Sequence, residues 1–196
     1  RRVLFRSHQG QGAKKVTILV TGGAGYIGSH TARLLTELGR DVVVLDTLER
    51  GYRDAVGDID LVVGDIADQR VVAKICRKYE VDSVIHFAAY KAVGESVEQP
   101  LLYFENNIQS LVNLLRCVQD HQIPYFVFSS SCTVYGEPES IPVTEETPLR
   151  PAASPYGLTK QIGEQLVQEF VKAAPCSALL LRYFNPAGAH PSGQIG

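Results

Sequence analysis

Short, nearly continuous apolar runs alternate along this chain with longer stretches in which apolar residues recur every three or four positions. The runs are Val16 to Val20, Val42 to Leu45, Ile59 to Val63, Val84 to Ala89, Phe126 to Ser131 and Leu179 to Phe184. Runs of this length predict strands buried on both faces. Between them, Ile27, Leu34, Leu35 and Leu38 predict the buried stripe of a helix that stops at Gly39. Val71 to Tyr79 predicts another helix, and Tyr156 to Val171 a later one. Pro100 opens a long helix to about His121, with Ile108, Leu111, Leu115 and Val118 inward and Asn106 and Asn107 toward the sheet end. Thr47 to Asp58 reads as a loop with a short helical turn. Strands alternating with helices in this way predict an α/β chain with a doubly wound parallel sheet.

In such sheets ligands bind beyond the carboxyl ends of the strands, and the polar residues of this chain gather there. The first strand runs into Thr21-Gly22-Gly23-Ala24-Gly25-Tyr26-Ile27-Gly28. Glycine at 22 and 23 permits a tight turn, at 25 it lets a pyrophosphate approach the main chain, and at 28 it lets helix pack on strand. The helix N-terminus then presents unpaired N–H groups and a positive dipole end to phosphate. The second strand ends in Asp46, about twenty positions beyond the turn, where a carboxylate accepts from both ribose hydroxyls of NAD and repels the extra phosphate of NADP. Arg50 nearby weighs the other way. The third strand ends in Gly64-Asp65-Ile66, where Asp65 either reads an adenine amino group or caps the next helix. Ala88 and Ala89 allow a ligand to lie against the fourth strand's end, and His86 is read as a packed strand residue. Phe87 to Lys91, Ser129 to Thr133 and Phe184-Asn185 complete the set.

Tyr156 and Lys160 lie four apart, on one helix face, shortly after Ser129-Ser130-Ser131. A free phenol titrates near pH 10, and making it a base at neutrality requires roughly 4 kcal/mol in favour of the phenolate. A lysine ammonium about 5 Å away supplies on the order of 3 kcal/mol at an effective dielectric of about 20. The positive nicotinamide ring of an oxidised cofactor adds to it. Ser131 would hold the same substrate oxygen by a hydrogen bond.

Composition narrows the reading. The chain has 196 residues, a formal net charge of −2 and 45% hydrophobic residues, which suits one soluble core and no nucleic-acid surface. No apolar stretch is long enough to span a membrane. Cys76, Cys117, Cys132 and Cys176 are widely spaced, with no Cys-x-x-Cys pair or histidine cluster. Free thiols in a reducing, cytoplasmic setting are expected, with no bound metal. Residues 1 to 14 read as a disordered, non-native extension of a domain covering 15 to 196. Gly196 follows a Gly/Pro/Ser-rich loop, so a truncated chain is expected.

These motifs resemble the extended short-chain dehydrogenase/reductase superfamily. His86-Phe87-Ala88-Ala89 with Lys91-Ala92-Val93-Gly94-Glu95-Ser96, Ser129 to Gly136, and Leu181-Arg182-Tyr183-Phe184-Asn185-Pro186-Ala187-Gly188-Ala189-His190 narrow the likeness to its UDP-glucose 4-epimerase family. The match runs from about Val16 to Gly196. The resemblance implies a Rossmann domain holding NAD, with most of a smaller substrate domain beyond the chain, so that this chain alone would bind NAD but epimerise poorly. It implies that Tyr156 takes the proton of the sugar 4-hydroxyl as hydride passes to NAD+, that the keto sugar turns over, and that hydride returns to its other face, interconverting UDP-glucose and UDP-galactose. Gly22, Gly25, Tyr26, Ile27, Gly28, Asp46, Thr47, Leu48, Asp65, Ile66, Phe87, Ala88, Ala89, Lys91, Asn106, Ser129, Tyr156, Lys160, Tyr183 and Phe184 match cofactor contacts. Lys91, Ser131, Cys132, Thr133, Tyr156, Tyr183, Phe184 and Asn185 match contacts to the sugar nucleotide, with Cys132 in place of the family's usual alanine or other small residue. Nucleotide-sugar 4,6-dehydratases carry an Asp-Glu pair where this chain has Cys132-Thr133, which cannot eliminate water. Epimerases of UDP-xylose, UDP-glucuronate or UDP-GlcNAc, and an NAD-binding sensor without turnover, remain as alternatives. The family also implies a homodimer through the helix after Pro100 and the helix of Tyr156.

Overall fold

The computed structural model describes residues 16–195; the expected extension at 1 to 14 lies outside the described residues. The strands are β1 (Thr17–Thr21), β2 (Asp41–Asp46), β3 (Asp60–Val63), β4 (Val81–His86), β5 (Tyr125–Ser131) and β6 (Ser177–Tyr183). The helices are α1 (Tyr26–Glu37), α2 (Arg53–Val56), α3 (Gln69–Tyr79), α4 (Val93–Glu98), α5 (Pro100–Phe104), α6 (Ser110–Asp120) and α7 (Pro155–Ala173). All strand pairs are parallel, in the order β3-β2-β1-β4-β5-β6. The order reverses between β1 and β4, which opens the crevice where such sheets take ligands.

One face of the sheet packs Leu19, Val43, Leu45, Val84, Phe126 and Phe128 against α3, α6 and α7. The other packs Val20 and Val44 with Ala24, Ala32 and Val56. Burial on both faces is why the central strands β1 and β2 read as continuous apolar runs. All four cysteines are free thiols.

Several expectations change in detail. On α1 the buried residues are Gly28, Ser29 and Ala32, while Leu34 is 56% and Leu38 66% exposed. The close crossing at the glycine turn buries small residues fully, while of the leucines only Leu35 packs, half-buried, against the cluster. Strand β4 ends at His86, three residues early, leaving Phe87 to Ala89 as loop. The long helix is broken by a π-turn at Glu105–Gln109. Its extra residue rotates the stripe, so Asn107 is buried and Ile108 only half-buried. Asp65 does not cap the following helix. Asp68 does, its carboxylate accepting from Arg70 N at 2.9 Å, and Asp65 closes a local turn on Ala67 N at 2.8 Å. The short helix α4 has no counterpart in the sequence reading.

Helix α7 is pinned to β5 and β6 by a buried charge. Glu164, 2% exposed, accepts from Arg182 Nε at 2.9 Å and Nη2 at 2.7 Å, and from Ser130 Oγ at 2.5 Å. Arg182 also donates to the Tyr135 hydroxyl at 3.1 Å. Glu164→Leu strands the arginine, so denaturant unfolding should show a loss of about 3–5 kcal/mol. Replacing both partners with methionine should cost clearly less. Equal losses would mean that the charge is not what the pin supplies.

Candidate functional site

The site is built on the carboxyl ends of the strands. At the end of β1, Gly22 adopts φ +72°, and a Cβ on it would lie 2.5 Å from Ala88 N; one on Gly28 would lie 2.2 Å from Gly22 O. Those two glycines are required by the protein's own packing. Gly25 is different. A Cβ there would meet only Gly22 O, at 3.4 Å, an ordinary contact. The space over Gly25 is therefore room for something other than protein. Helix α1 starts there with no side-chain cap and no acidic residue in its first turn, the arrangement that suits an anion. Tyr26 and Ile27, half-buried, open the helix, and the Tyr26 hydroxyl donates to Gly188 O at 2.7 Å.

Asp46 ends β2 beside this turn. Its Oδ2 accepts from Ala24 N at 2.9 Å and its Oδ1 from Leu48 N at 2.8 Å. These bonds aim the carboxylate and hold Leu48 at φ +62°, a left-handed conformation that a leucine rarely takes. A carboxylate has about four acceptor positions, so both oxygens retain capacity for hydroxyl donors. Thr47 is exposed, and its Oγ1 accepts from Glu49 N at 3.3 Å. Arg50 is committed to Glu95, at 2.8 and 2.9 Å.

At the end of β3, Asp65 is exposed, whereas the Ile66 side chain belongs to the core. Phe87, Ala88 and Ala89 follow β4 half-buried, and the Phe87 ring lies 6.4 Å from that of Tyr183. Lys91, Phe184 and Asn185 are exposed. Asn106 donates to Asn107 Oδ1 at 2.9 Å. Asn107 also holds both main-chain groups of Tyr90, at 2.8 and 3.0 Å, and reaches Thr159 Oγ1 at 3.1 Å.

The proposed chemistry converges at the end of β5. Lys160 Nζ is buried, donates to Ser129 O at 2.8 Å, and lies 5.8 Å from the centre of the Tyr156 ring. Ser131 lies close enough to Tyr156 to lower the proton affinity of its phenol. Ser131 Oγ also accepts from Thr133 N at 3.2 Å, capping the 3-10 turn Cys132–Tyr135. Thr133 Oγ1 is buried without a hydrogen-bond partner, a polar atom aimed where no protein group answers it.

The electrostatics differ from expectation. Burial pushes the Tyr156 phenol above its ordinary value, and the Ser131 hydrogen bond pulls only part of the way back. Burial lowers Lys160 to about 8. Both groups are driven toward neutrality, so the lysine alone does not make the phenol acidic. His86, stacked 6.0 Å from Phe128 and bonded to Thr21 Oγ1 at 2.8 Å, is pushed down to about 3 by burial and by Lys160. It is a neutral packed residue, as its strand position suggested.

The sequence reading missed the roles of Glu164 and Arg182, and it placed Ser130 and Asn107 at the strand ends without giving either a partner. A signal existed for the first two. Glu164 continues the Tyr156, Lys160 spacing by four, and Arg182 is a lone charge in an apolar strand.

Residues 18–195 match the family described as NAD dependent epimerase/dehydratase. The UDP-glucose 4-epimerase of Lactobacillus helveticus is 48% identical over 180 residues, 91% of this chain and 54% of that protein. The crystal structure of UDP-glucose 4-epimerase from Brucella ovis in complex with NAD matches with TM-score 0.89 at 43% identity, covering 92% of this chain and 55% of that one. The structure from Bifidobacterium longum in complex with NAD+ and UDP matches with TM-score 0.88 at 41% identity, covering 92% and 56%. The chain thus spans about half the length of the relatives it matches. Among the described residues no helix is long and apolar enough to cross a membrane. A match over nearly all of the described residues, with a fold shared at TM-score 0.89, leaves one assignment: the chain belongs to the NAD dependent epimerase/dehydratase family.

Proposed function

We propose that this chain carries the NAD site and the reacting groups of an enzyme that interconverts UDP-glucose and UDP-galactose by oxidation and re-reduction at C4. The observation that carries the reading is the convergence of Tyr156, Ser131 and Lys160 beyond β5, on the same sheet edge as the uncapped α1 terminus and Asp46. The names and bound ligands of the relatives supply the sugar nucleotide and the cofactor.

Residues fitted to hold NAD are Gly25, Tyr26 and Ile27 at the pyrophosphate, Asp46 with Thr47 and Leu48 at the adenosine ribose, and Asp65 with the main chain of Ile66 at adenine. Phe87 to Ala89, Lys91, Asn106, Ser129, Lys160, Tyr183 and Phe184 border the remainder. The cofactor, when bound, would supply a hydride acceptor and donor and, while oxidised, a positive charge. Tyr156 takes and returns the proton of the sugar 4-oxygen, and Ser131 orients that oxygen. Lys160 supplies a positive charge only while protonated, burial having lowered it to about 8. Burial raises the phenol above its ordinary value, and positive charge arriving with the ligand would favour the base form. Thr133 Oγ1, Cys132, Tyr183 and Asn185 are assigned to the sugar nucleotide. The protein works in the cytoplasm as a homodimer through α5, α6 and α7, and further residues of a longer protein complete the sugar site.

Three outcomes test this. The full-length protein should convert UDP-galactose to UDP-glucose, and Tyr156→Phe should lower turnover by at least about 10²-fold while bound NAD is retained; undiminished turnover would remove the phenol from its role. Asp46→Ala should reduce the preference for NAD over NADP, measured as the ratio of binding constants; an unchanged ratio would refute the ribose assignment. Lys160 must keep its proton while Tyr156 gives one up. Turnover should therefore fall as the pH rises through about 8, and a rate still rising there would show that the ammonium is not needed.

A further inference from the structure

Strand β1 lies between β2 and β4, so a bond between the loops that follow β2 and β4 crosses the end of β1, where the glycine turn sits. Such a bond exists. Arg50, after β2, donates through Nη1 and Nη2 to the two carboxylate oxygens of Glu95 in α4, at 2.8 and 2.9 Å. Its guanidinium carbon lies 4.0 Å from the centre of the Tyr90 ring, and the Tyr90 hydroxyl donates back across the gap to Glu49 Oε2 at 2.8 Å.

Both feet of this bridge are braced. Gly51 rests on the glycine turn, so close that a Cβ on it would lie 2.8 Å from the Ala24 Cβ, and Tyr52 N donates to Ala24 O at 3.0 Å. On the far side the Tyr103 hydroxyl donates to Glu95 Oε2 at 2.6 Å and accepts from Ala92 N at 3.0 Å. The bridge itself contributes nothing to either hydrophobic cluster, and the Arg50 side chain is 43% exposed. It can therefore open without disturbing the core.

We propose that Arg50 and Glu95 form a clasp that closes over a dinucleotide lying on the glycine turn and sets how slowly that dinucleotide leaves. The proposal rests on the NAD reading above and deepens it. A cofactor reduced and reoxidised within each turnover gains nothing from exchange, and its loss midway would strand an oxidised sugar. A bidentate, ring-stacked ion pair is the kind of surface contact whose opening can gate release. Arg50 is thus a positioning residue that acts on the cofactor's residence rather than on the reacting atoms.

The full chain is loaded with NADH and mixed with excess NAD+, and the fall in NADH fluorescence reports release. Arg50→Gln and Glu95→Gln should each release NADH about tenfold faster than the unmodified chain, the scale expected for losing a bidentate pair with a stacked ring. High salt should speed release from the unmodified chain and narrow that ratio. Arg50→Lys, which keeps the charge but not the fork, should fall between. Release at the same rate from both glutamine variants and the unmodified chain would overturn the clasp and leave the NAD reading standing. A chain that binds no NADH at all would overturn both.

Discussion

A carboxylate that is 2% exposed needs cations and donors in place of its lost water, and Glu164 shows what that requirement does to a fold. Its partners come from three elements: Ser130 from β5, Arg182 from β6 and, through Arg182, Tyr135 from the turn after β5. Satisfying the one carboxylate sets the register of α7 against the sheet. Lys160 lies one helical turn earlier and reaches the carbonyl of Ser129, the neighbour of Ser130. Tyr156 lies one turn earlier again and meets Ser131. Gly163 admits the close packing, since a Cβ there would lie 2.5 Å from the Phe128 ring. The phenol, ammonium and hydroxyl therefore inherit their geometry from a charge that takes no part in the proposed chemistry.

The other half of the site depends on close approach rather than charge. Gly28 crosses Gly22, and Gly22 touches Ala88, which brings the end of β1 against the loop after β4 and leaves the α1 N-terminus facing the crevice. Asp46 then ties the second strand to that turn through Ala24 N. The two halves have opposite character. One offers uncompensated N–H groups and an oriented carboxylate. The other offers a phenol and an amine that burial drives toward their neutral forms. Such a pair is poised to respond to charge arriving with a ligand, because in a low-dielectric pocket each added charge has a large effect.

The architecture was legible in the sequence because a sheet covered on both faces demands uninterrupted apolar strands, and β1 and β2 can be read from that alone; β6 is equally apolar although Leu179 and Leu181 are exposed. The ligand-facing groups were legible for a related reason. Polar residues that end an apolar strand, such as Asp46 and Ser131, have little else to do there. Element ends were less legible. Phe87-Ala88-Ala89 continues the apolar run past His86, so nothing in composition shows that pairing stops at His86, where the partner β1 ends. The π-turn at Glu105–Gln109 was hidden because a helix with one inserted residue keeps nearly the same periodicity on either side.

By itself the sequence determined the strand–helix alternation, the glycine turn with its acidic partner, and the spacing that puts Tyr156 and Lys160 on one helix face. These are local properties, set by backbone sterics and by periods of about 2 and about 3.6 residues. Only the tertiary structure decided which charges pair and what burial does to them. It matched Glu164 with Arg182 and left Thr133 Oγ1 without a partner. It turned Arg50 from a competitor of Asp46 into the partner of Glu95. It also set the proton affinities of Tyr156 and Lys160, because desolvation depends on every neighbour a side chain acquires and spacing along the chain specifies only a few of them.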